Sequence, residues 1–575
     1  MTKTPLFDAA LDKILADLVP HTRTCIETGE EFEITAQEIE MLKLLRVPPP
    51  TITWWAAMRR EGAFLAGYDL FLRPTLNATN AISFYDPATT VPLVTKTHWQ
   101  SDTFDAMAYN QDAKTDEPFF EQWQRLSNSV PRSALVQHGI KENSDWVTYG
   151  MDYKDGYGCY AGIGMEDAIY SDSCGYCQHV LETNFSGYCE FCYDSVMCLR
   201  SSRLLFCERC EESVSLTFCL ACKNCSDCFG CTNLKNKHFC FLNEQLTEED
   251  YKRHLSNIDL TEARIIAEWK SKIAAVWSRT FRCANHILRA EDELGDDIED
   301  SRSAYGVSIR QSERVYGSYG IVECRDIMWS FYPKGSERCY GCKDTIHSSE
   351  ATICIACDHC IDIKYSESLI HCEHCFGCIG LKHKRFCLFN KQYTEEEYWR
   401  LVDAIKSTML ERGEYGEFFP YSASPFAYNA SHAGMLFPLS KEEVTRLGGR
   451  WYDAAQVTLN ANIEDVSAIP ERLADVTDAI VKRRFRCPET GRAFFFTAPQ
   501  LALHRELGVA LPRRHSLIDR IRRTLKTLPP RLYTRTCASC KASVATRIPP
   551  AMTAPILCGL CYEQVMIGEK EAPKS

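Results

Sequence analysis

Long apolar runs are missing from this chain of 575 residues. No stretch of about 18 apolar residues occurs, so no helical membrane span is expected. The opening segment, "MTKTPLFDAALDKILADLVP", carries acids and no apolar h-region, so no signal peptide is expected either. An excess of positive charge is also missing. The formal net charge of −12 argues against wrapping of nucleic acid by the whole chain and leaves room only for a local basic patch. Catalytic fingerprints are missing too: there is no GxSxG, no P-loop, no HExxH and no dinucleotide fingerprint opening a βαβ unit. No catalytic residue is assigned, and no small-molecule substrate is expected.

What is abundant is cysteine, with 31 residues. A large chain without an export signal, rich in Cys-x-x-Cys pairs, fits reduced thiols in a cytoplasm better than a disulfide framework. The cysteines are phased. Those from Cys159 to Cys240, and again those from Cys324 to Cys387, all stand at positions divisible by three. In the second array, which takes in residues before Cys324, Ser312, Ile321, Ser366, Leu369 and Leu381 share that phase, while charged residues avoid it until the array ends. Small and aliphatic residues trading places with cysteine describe an inward-facing row, in which the thiol acts as a small hydrophobe.

A longer spacing overlies the first. Cys174, Cys192, Cys210 and Cys228 are 18 apart, as are Cys324, Cys342, Cys360 and Cys378. This predicts a mainly β fold with helices: two tandem parallel β-solenoid arrays of 18-residue, three-sided coils, stacked at roughly 4.8 Å. Period three conflicts with the period-two alternation of a flat strand, so corners must recur often. The arrays repeat each other at an offset of 147: "CFGCTNLKNKHFCFLNEQLTEEDY" (228–251) matches "CFGCIGLKHKRFCLFNKQYTEEEY" (375–398). Thr247 with Asp250, and Thr394 with Glu397, predict capped helices that cover the solenoid ends.

The chain ends are duplicated at an offset of 462: "CIETGEEFEITAQEIEMLKLLRVPPP" (25–50) matches "CPETGRAFFFTAPQLALHRELGVALP" (487–512). Thr35 with Glu38, and Thr497 with Gln500, again predict helix starts. Continuing the C-terminal copy reaches Cys537-x2-Cys540 and Cys558-x2-Cys561, which have zinc-ribbon spacing. Four thiolates leave no water position, so the expected zinc is structural. The aligned N-terminal positions are Thr75, Ala78, Lys96 and Trp99; if the ribbon persists there, packing holds it, with Trp99 the candidate filler. Cys25 and Cys487 read as buried single thiols.

With "NLKNKHFCFLNEQLTEEDY", "GLKHKRFCLFNKQYTEEEY", "PFFEQW", "SPFAYN" and "CASC…CGLCY", the chain resembles a bacterial family of cysteine-rich zinc-ribbon proteins. The resemblance covers most of the chain and carries no activity with it. Members often have further Cys-x-x-Cys pairs near the N-terminus, where this chain has Thr53 and Ala56.

Further metal candidates are Cys189, Cys192, Cys207 and Cys210, and Cys339, Cys342, Cys357 and Cys360, each set spaced CxxC-x14-CxxC. Iron–sulfur ligation is not favoured, because the x3-Cys-Pro ending of the ferredoxin run is absent. A dry thiol-lined core is the favoured reading. The histidines His347, His359, His371, His374 and His383 fall in another phase and should face outward. A basic segment offers Arg513, Arg514, Arg520, Arg522, Arg523, Lys526, Arg531 and Arg535 as phosphate contacts for RNA, DNA or a ribonucleoprotein. A solvated helix face is an equal reading of that segment. The expected organisation is an N-terminal module without zinc cysteines (1–145), solenoid 1 (146–243), a helical cap with an acidic linker (244–300), solenoid 2 (301–390), a second cap and linker (391–475), and a basic C-terminal ribbon module (476–575). The expected function is a non-enzymatic zinc-binding scaffold. The alternative is a redox or metal-handling protein with clusters on the thiol ladders.

Overall fold

In a computed structural model the chain is a mixed α/β protein whose body is a β-solenoid of about 16 turns between residues 138 and 388. Residues 2–573 are described except 292–293, 302–304, 311–315, 323–329, 332–341, 344–352, 454–462, 516–520, 526–528, 530 and 570–571; between 302 and 352 the description is of backbone, Ile309 apart.

The coil has twelve residues, which corrects the 18-residue expectation. Tyr160 bridges Asp172, Gly175 bridges Gly187, and Gly187 bridges Leu199, all in parallel register twelve residues apart. The reason lies in the backbone. Every third residue from Tyr170 to Leu242 is left-handed, and the non-glycine ones have φ between 47° and 59°. Each turns the chain through a corner, so three residues make a side and four sides make a coil. The inward residue recurs once per side, which removes the conflict between period three and strand alternation. A spacing of 18 is one and a half coils, so residues so related stand on opposite sides.

This geometry explains why the inward row is cysteine and serine. The amide of an inward residue points at the side chain one coil earlier. Cys198 N donates to Ser186 Oγ (3.1 Å), Ser213 N to Ser201 Oγ (3.1 Å), Cys225 N to Ser213 Oγ (3.1 Å), Cys189 N to Cys177 Sγ (3.4 Å) and Cys372 N to Cys360 Sγ (3.4 Å). The thiols in turn donate to carbonyls two residues back and nine ahead, as Cys219 does to Thr217 O and Cys228 O (3.5 Å each). Buried amides need partners, and a small side chain with a lone pair and a proton supplies them. Aliphatic Val180, Leu204 and Leu216 stand instead on the side that runs as regular strand, at Gln178–Leu181, Ser202–Leu205 and Val214–Thr217.

Each array ends on an asparagine that imitates a further coil. Asn243 Oδ1 accepts from Thr232 N (2.7 Å) and its Nδ2 donates to Thr232 O (2.9 Å). Asn390 does the same for Ile379 N (2.8 Å) and O (2.9 Å). The expected helices follow: Glu248–Leu255 with Thr247 as N-cap, and Glu395–Glu411 opened by a full Thr394–Glu397 capping box.

Two boundaries move. Array 1 begins with strand His138–Glu142. The acidic stretch 291–300, expected to be a linker, contributes strand Leu294–Glu299 to array 2, which begins at Ile287–Leu288. Its acids fit because Asp297 and Asp300 occupy left-handed corners, while buried Asp296 faces Arg209 and His286.

The end modules join the arrays head to tail. Strand Leu93–Val94 pairs in parallel with Arg132–Ser133, directly before array 1; strand Ile556–Leu557 pairs in parallel with Arg282–Cys283, directly before array 2. The final coils of array 2 meet the first junction: Asn390 donates to Ala106 O (3.0 Å), and Arg132 pairs with Glu367, one coil earlier (2.8 Å), with both side chains buried. The final coils of array 1 meet the second: Asn233, in the last coil, donates to Phe281 O (3.0 Å), and Arg282 pairs with Glu208, two coils earlier (2.7 Å).

Candidate metal centre

Three hairpins at the chain ends share one turn. Cys25, Cys487 and Cys537 each donate an amide to the carbonyl five residues on and accept from the amide four residues on, where Gly29, Gly491 and Lys541 take φ of 73°, 68° and 66°. The turn presents the side chains at its first and fourth positions. These are Cys25 and Thr28, Cys487 and Thr490, and Cys537 and Cys540. Only the last of the three turns has two thiols.

Helix Gly559–Met566 faces that last turn, with Cys558 at its N-cap and Cys561 in its first turn. The sulfurs of Cys537, Cys540, Cys558 and Cys561 all lie within 4.8 Å of one another, and Cys540 Sγ is 3.7 Å from Cys558 Sγ. Tetrahedral sulfur around zinc at about 2.3 Å requires sulfur–sulfur separations of about 3.8 Å, so the set fits such an ion. Cys537 is buried and Cys540 exposed. Burial opposes ionisation of Cys537, but the amides of Cys558, Cys540 and Ser539 outweigh it and bring the thiol down to about 6. Burial beside the other thiols pushes Cys558 up to about 12. Four converging thiols of this kind form a site that can hold a cation, with the protons displaced on binding.

The other units show what replaces thiols. Helix Trp54–Gly62 faces the first turn as Gly559–Met566 faces the last, and its N-cap is Thr53. The Thr28 hydroxyl and the Thr53 amide reach the Cys25 sulfur and, against burial, draw its pKa down. In the unit aligned with the four-thiol site, hairpin Phe71–Thr75/Ala78–Ser83 and helix Lys96–Gln100 persist. There Asn77 closes the unit: its Nδ2 donates to Thr95 Oγ1 and its Oδ1 accepts from Thr95 N, both at 2.9 Å. Trp99, the expected filler, instead lies under Lys382 of array 2, 4.6 Å from its ring centroid.

The solenoid candidates do not come together as proposed from their spacing. Twelve-residue coils put Cys189, Cys192, Cys207 and Cys210 on four different sides. Among the described residues, the four sulfurs of 537–561 are the only cysteine group whose ligand atoms all converge. Burial drives the Cys174, Cys210, Cys219 and Cys357 thiols up, whereas hydrogen bonds from neighbouring thiols and amides bring Cys177 down to about 4 and, against burial, Cys207 down to about 5. The side chains of Cys339 and Cys342 lie outside the described residues; Cys357 and Cys360 are buried in array 2.

The basic segment is largely turned inward. Arg513 donates to Val466 O and Ile469 O (2.9 Å each), and Arg535 to Pro549 O (2.9 Å). Arg514 (2.9 Å) and Arg523 (3.3 Å) pair with buried Asp194, which Lys270 also contacts (2.6 Å). Arg531 pairs with Glu30 (3.0 Å) and lies over Trp55. Arg522 is exposed, and Arg520 and Lys526 lie outside the described residues.

One further ligand-type group, His286 with Asp296 and Asp297, went unnoticed in the sequence because it crosses the assumed linker. Arg209 and Arg547 already face its carboxylates, which makes it an ion-pair cluster. No helix among the described residues is long and apolar enough to cross a membrane. No family model matches the chain, and no match to it was found among curated proteins.

Proposed function

We propose that this chain is a non-enzymatic scaffold whose two solenoid arrays are held in register by a structural zinc in a C-terminal zinc-ribbon module, working in the cytoplasm. The observation that carries this reading is the convergence of four thiols within 4.8 Å at the junction between the end of array 1 and the start of array 2. A set of four sulfurs saturates a tetrahedral ion and leaves no position for substrate or water, which is the arrangement of a structural site. The solenoid supports the scaffold role, because stacked coils offer long, regular outer faces to a macromolecule. A nucleic-acid or ribonucleoprotein partner at the basic segment would compete with the intramolecular contacts of Arg513, Arg514, Arg523, Arg531 and Arg535.

Metal analysis of anaerobically purified protein tests the reading. One zinc per chain, no visible absorption, and loss of that zinc in Cys540→Ser are expected. Several thiolate-bound metals per chain, or a brown protein, would replace the scaffold with the metal-handling alternative. Binding of RNA or DNA is tested on the full chain with Arg522→Glu across a salt series. A steep salt dependence that the variant flattens would place a phosphate backbone on this module.

A further inference from the structure

Array 2 carries a column of imidazoles on one outer corner. His359, His371 and His383 stand twelve residues apart, all exposed, at left-handed positions with φ of 50°, 51° and 52°. Their ring centroids are 4.9 Å and 5.1 Å apart, and the rings of His371 and His383 are within 12° of parallel. His347 continues the column in sequence but lies outside the described residues. His374, on the neighbouring corner, is engaged by Asp362 (2.9 Å) and stacks on Phe386.

A corner needs a residue that tolerates the left-handed region, and Asn does so as well as His. The same corner of array 1 shows that solution: Asn224 Nδ2 donates to Asn236 Oδ1 at 2.8 Å, so the amides satisfy each other along the stack. Array 2 uses imidazole at this corner in successive coils. Neighbouring coils hold the side chains at a fixed rise, and rotation of the solvent-facing His371 and His383 rings about their side-chain bonds lets two ring nitrogens from adjacent coils close on one ion at about 2.0–2.1 Å each. Asp358 Oδ1 lies 2.8 Å from His359 Nδ1, which places a carboxylate beside the column.

We propose that the His359–His371–His383 column is a second metal site, chelating a divalent late first-row cation of the nickel, copper and zinc class between adjacent coils. It is separate from the sulfur site and does not rest on the scaffold reading. Imidazole ligands of this kind suit those ions.

The column makes an unequal prediction about its members. His371 belongs to both adjacent pairs, whereas His359 and His383 belong to one each. Full-length protein, loaded with one zinc and freed of excess metal, is titrated with Ni2+ by calorimetry. Wild type is expected to bind Ni2+. His371→Asn is expected to weaken binding by about a hundredfold or more, since a chelate reduced to single ligands loses its effective concentration. His359→Asn and His383→Asn, each leaving one pair intact, should weaken it by about tenfold at most. Array 1 carries Asn224 and Asn236 at the positions matching His371 and His383, and Asn tolerates the left-handed corner matching His359, so the coil is retained, and unchanged thermal melting checks this. Cys540→Ser should bind Ni2+ as wild type does. Equal small losses in all three histidine variants, no loss in His371→Asn, or abolition by Cys540→Ser would each overturn the proposal.

Discussion

The inward side chain of this solenoid is chosen by an amide. At position 177 the sulfur accepts from Cys189 N and donates to Gly175 O. Cys177→Ser keeps both functions and is expected to stay within about 1 kcal/mol of wild type, as a near-isosteric swap should. Cys177→Ala removes the acceptor and leaves a buried amide unpaired, at a cost of about 1–3 kcal/mol. Denaturant unfolding of the two variants checks the difference; equal losses would show that volume, not the lone pair, selects cysteine. His504 gives a second test. It is fully buried between the C-terminal unit and array 1, its ring 5.0 Å from that of Tyr193, and burial lowers its pKa to about 4. The unfolded imidazole titrates near 6.5, so the unfolded chain binds the proton first, and stability falls as pH drops from about 6.5 to about 4. Melting temperature should decline across that window, and His504→Phe should flatten the decline. These residue-level features were legible to different depths. The phase of the cysteines announced an inward row, because residue type follows burial. The hydrogen bonds that make Ser and Cys interchangeable were invisible, because they run between residues twelve apart, a period the sequence disguised.

The disguise belongs to the coil. Twelve residues with four corners need a left-handed residue at each corner, and here Tyr, Phe, Arg, Glu and Met take that role as readily as Gly or Asn. Each non-glycine corner costs roughly 1–2 kcal/mol in backbone sterics, offset by the parallel ladder that the corner makes possible. Because the corner is a backbone choice that these side chains do not mark, period three could be read and the number of sides could not. The 18-residue echo came from cysteines on opposite sides of the coil. The end of the coil was better marked: both arrays close with Asn in the same matched motif, although its role required the structure. Asn390 is buried and carries the amide and carbonyl of Ile379 and the carbonyl of Ala106, so Asn390→Ala strands three buried polar groups. A loss of about 1–3 kcal/mol per stranded group is expected, with faster hydrogen exchange in 376–390 than elsewhere in array 2. Exchange that rises evenly through the array would mean that the asparagine does not act as an end cap.

At the scale of the whole molecule the two junctions are related in plan and differ in what closes them. The hairpin-and-helix unit at the first is closed by the Asn77–Thr95 hydrogen bonds, and the junction by the buried Arg132–Glu367 pair. The unit at the second is closed by four thiols, and beside it Tyr562 donates to Asn233 Oδ1 at 2.9 Å while Arg282 reaches Glu208. The sequence exposed the duplicated ends and the spacing of the four cysteines that converge. It could not expose that each end module bridges the finish of one array to the start of the other, because that contact joins segments hundreds of residues apart. With the proposed zinc in the sulfur site, the asymmetry makes metal removal directional. A metal that binds only the folded module contributes its binding free energy to that module's stability. Stripping the protein with a chelator should therefore raise hydrogen exchange at 231–243, 281–283 and 533–566, while 93–95, 132–138 and 380–390 keep their protection. Asn77→Ala should reverse the pattern, loosening the first junction and leaving the second intact with its metal. Uniform deprotection under chelation would mean that the molecule opens as one unit. Unchanged protection at 231–243 would mean that the sulfur site closes only its own hairpin and does not hold the two arrays together.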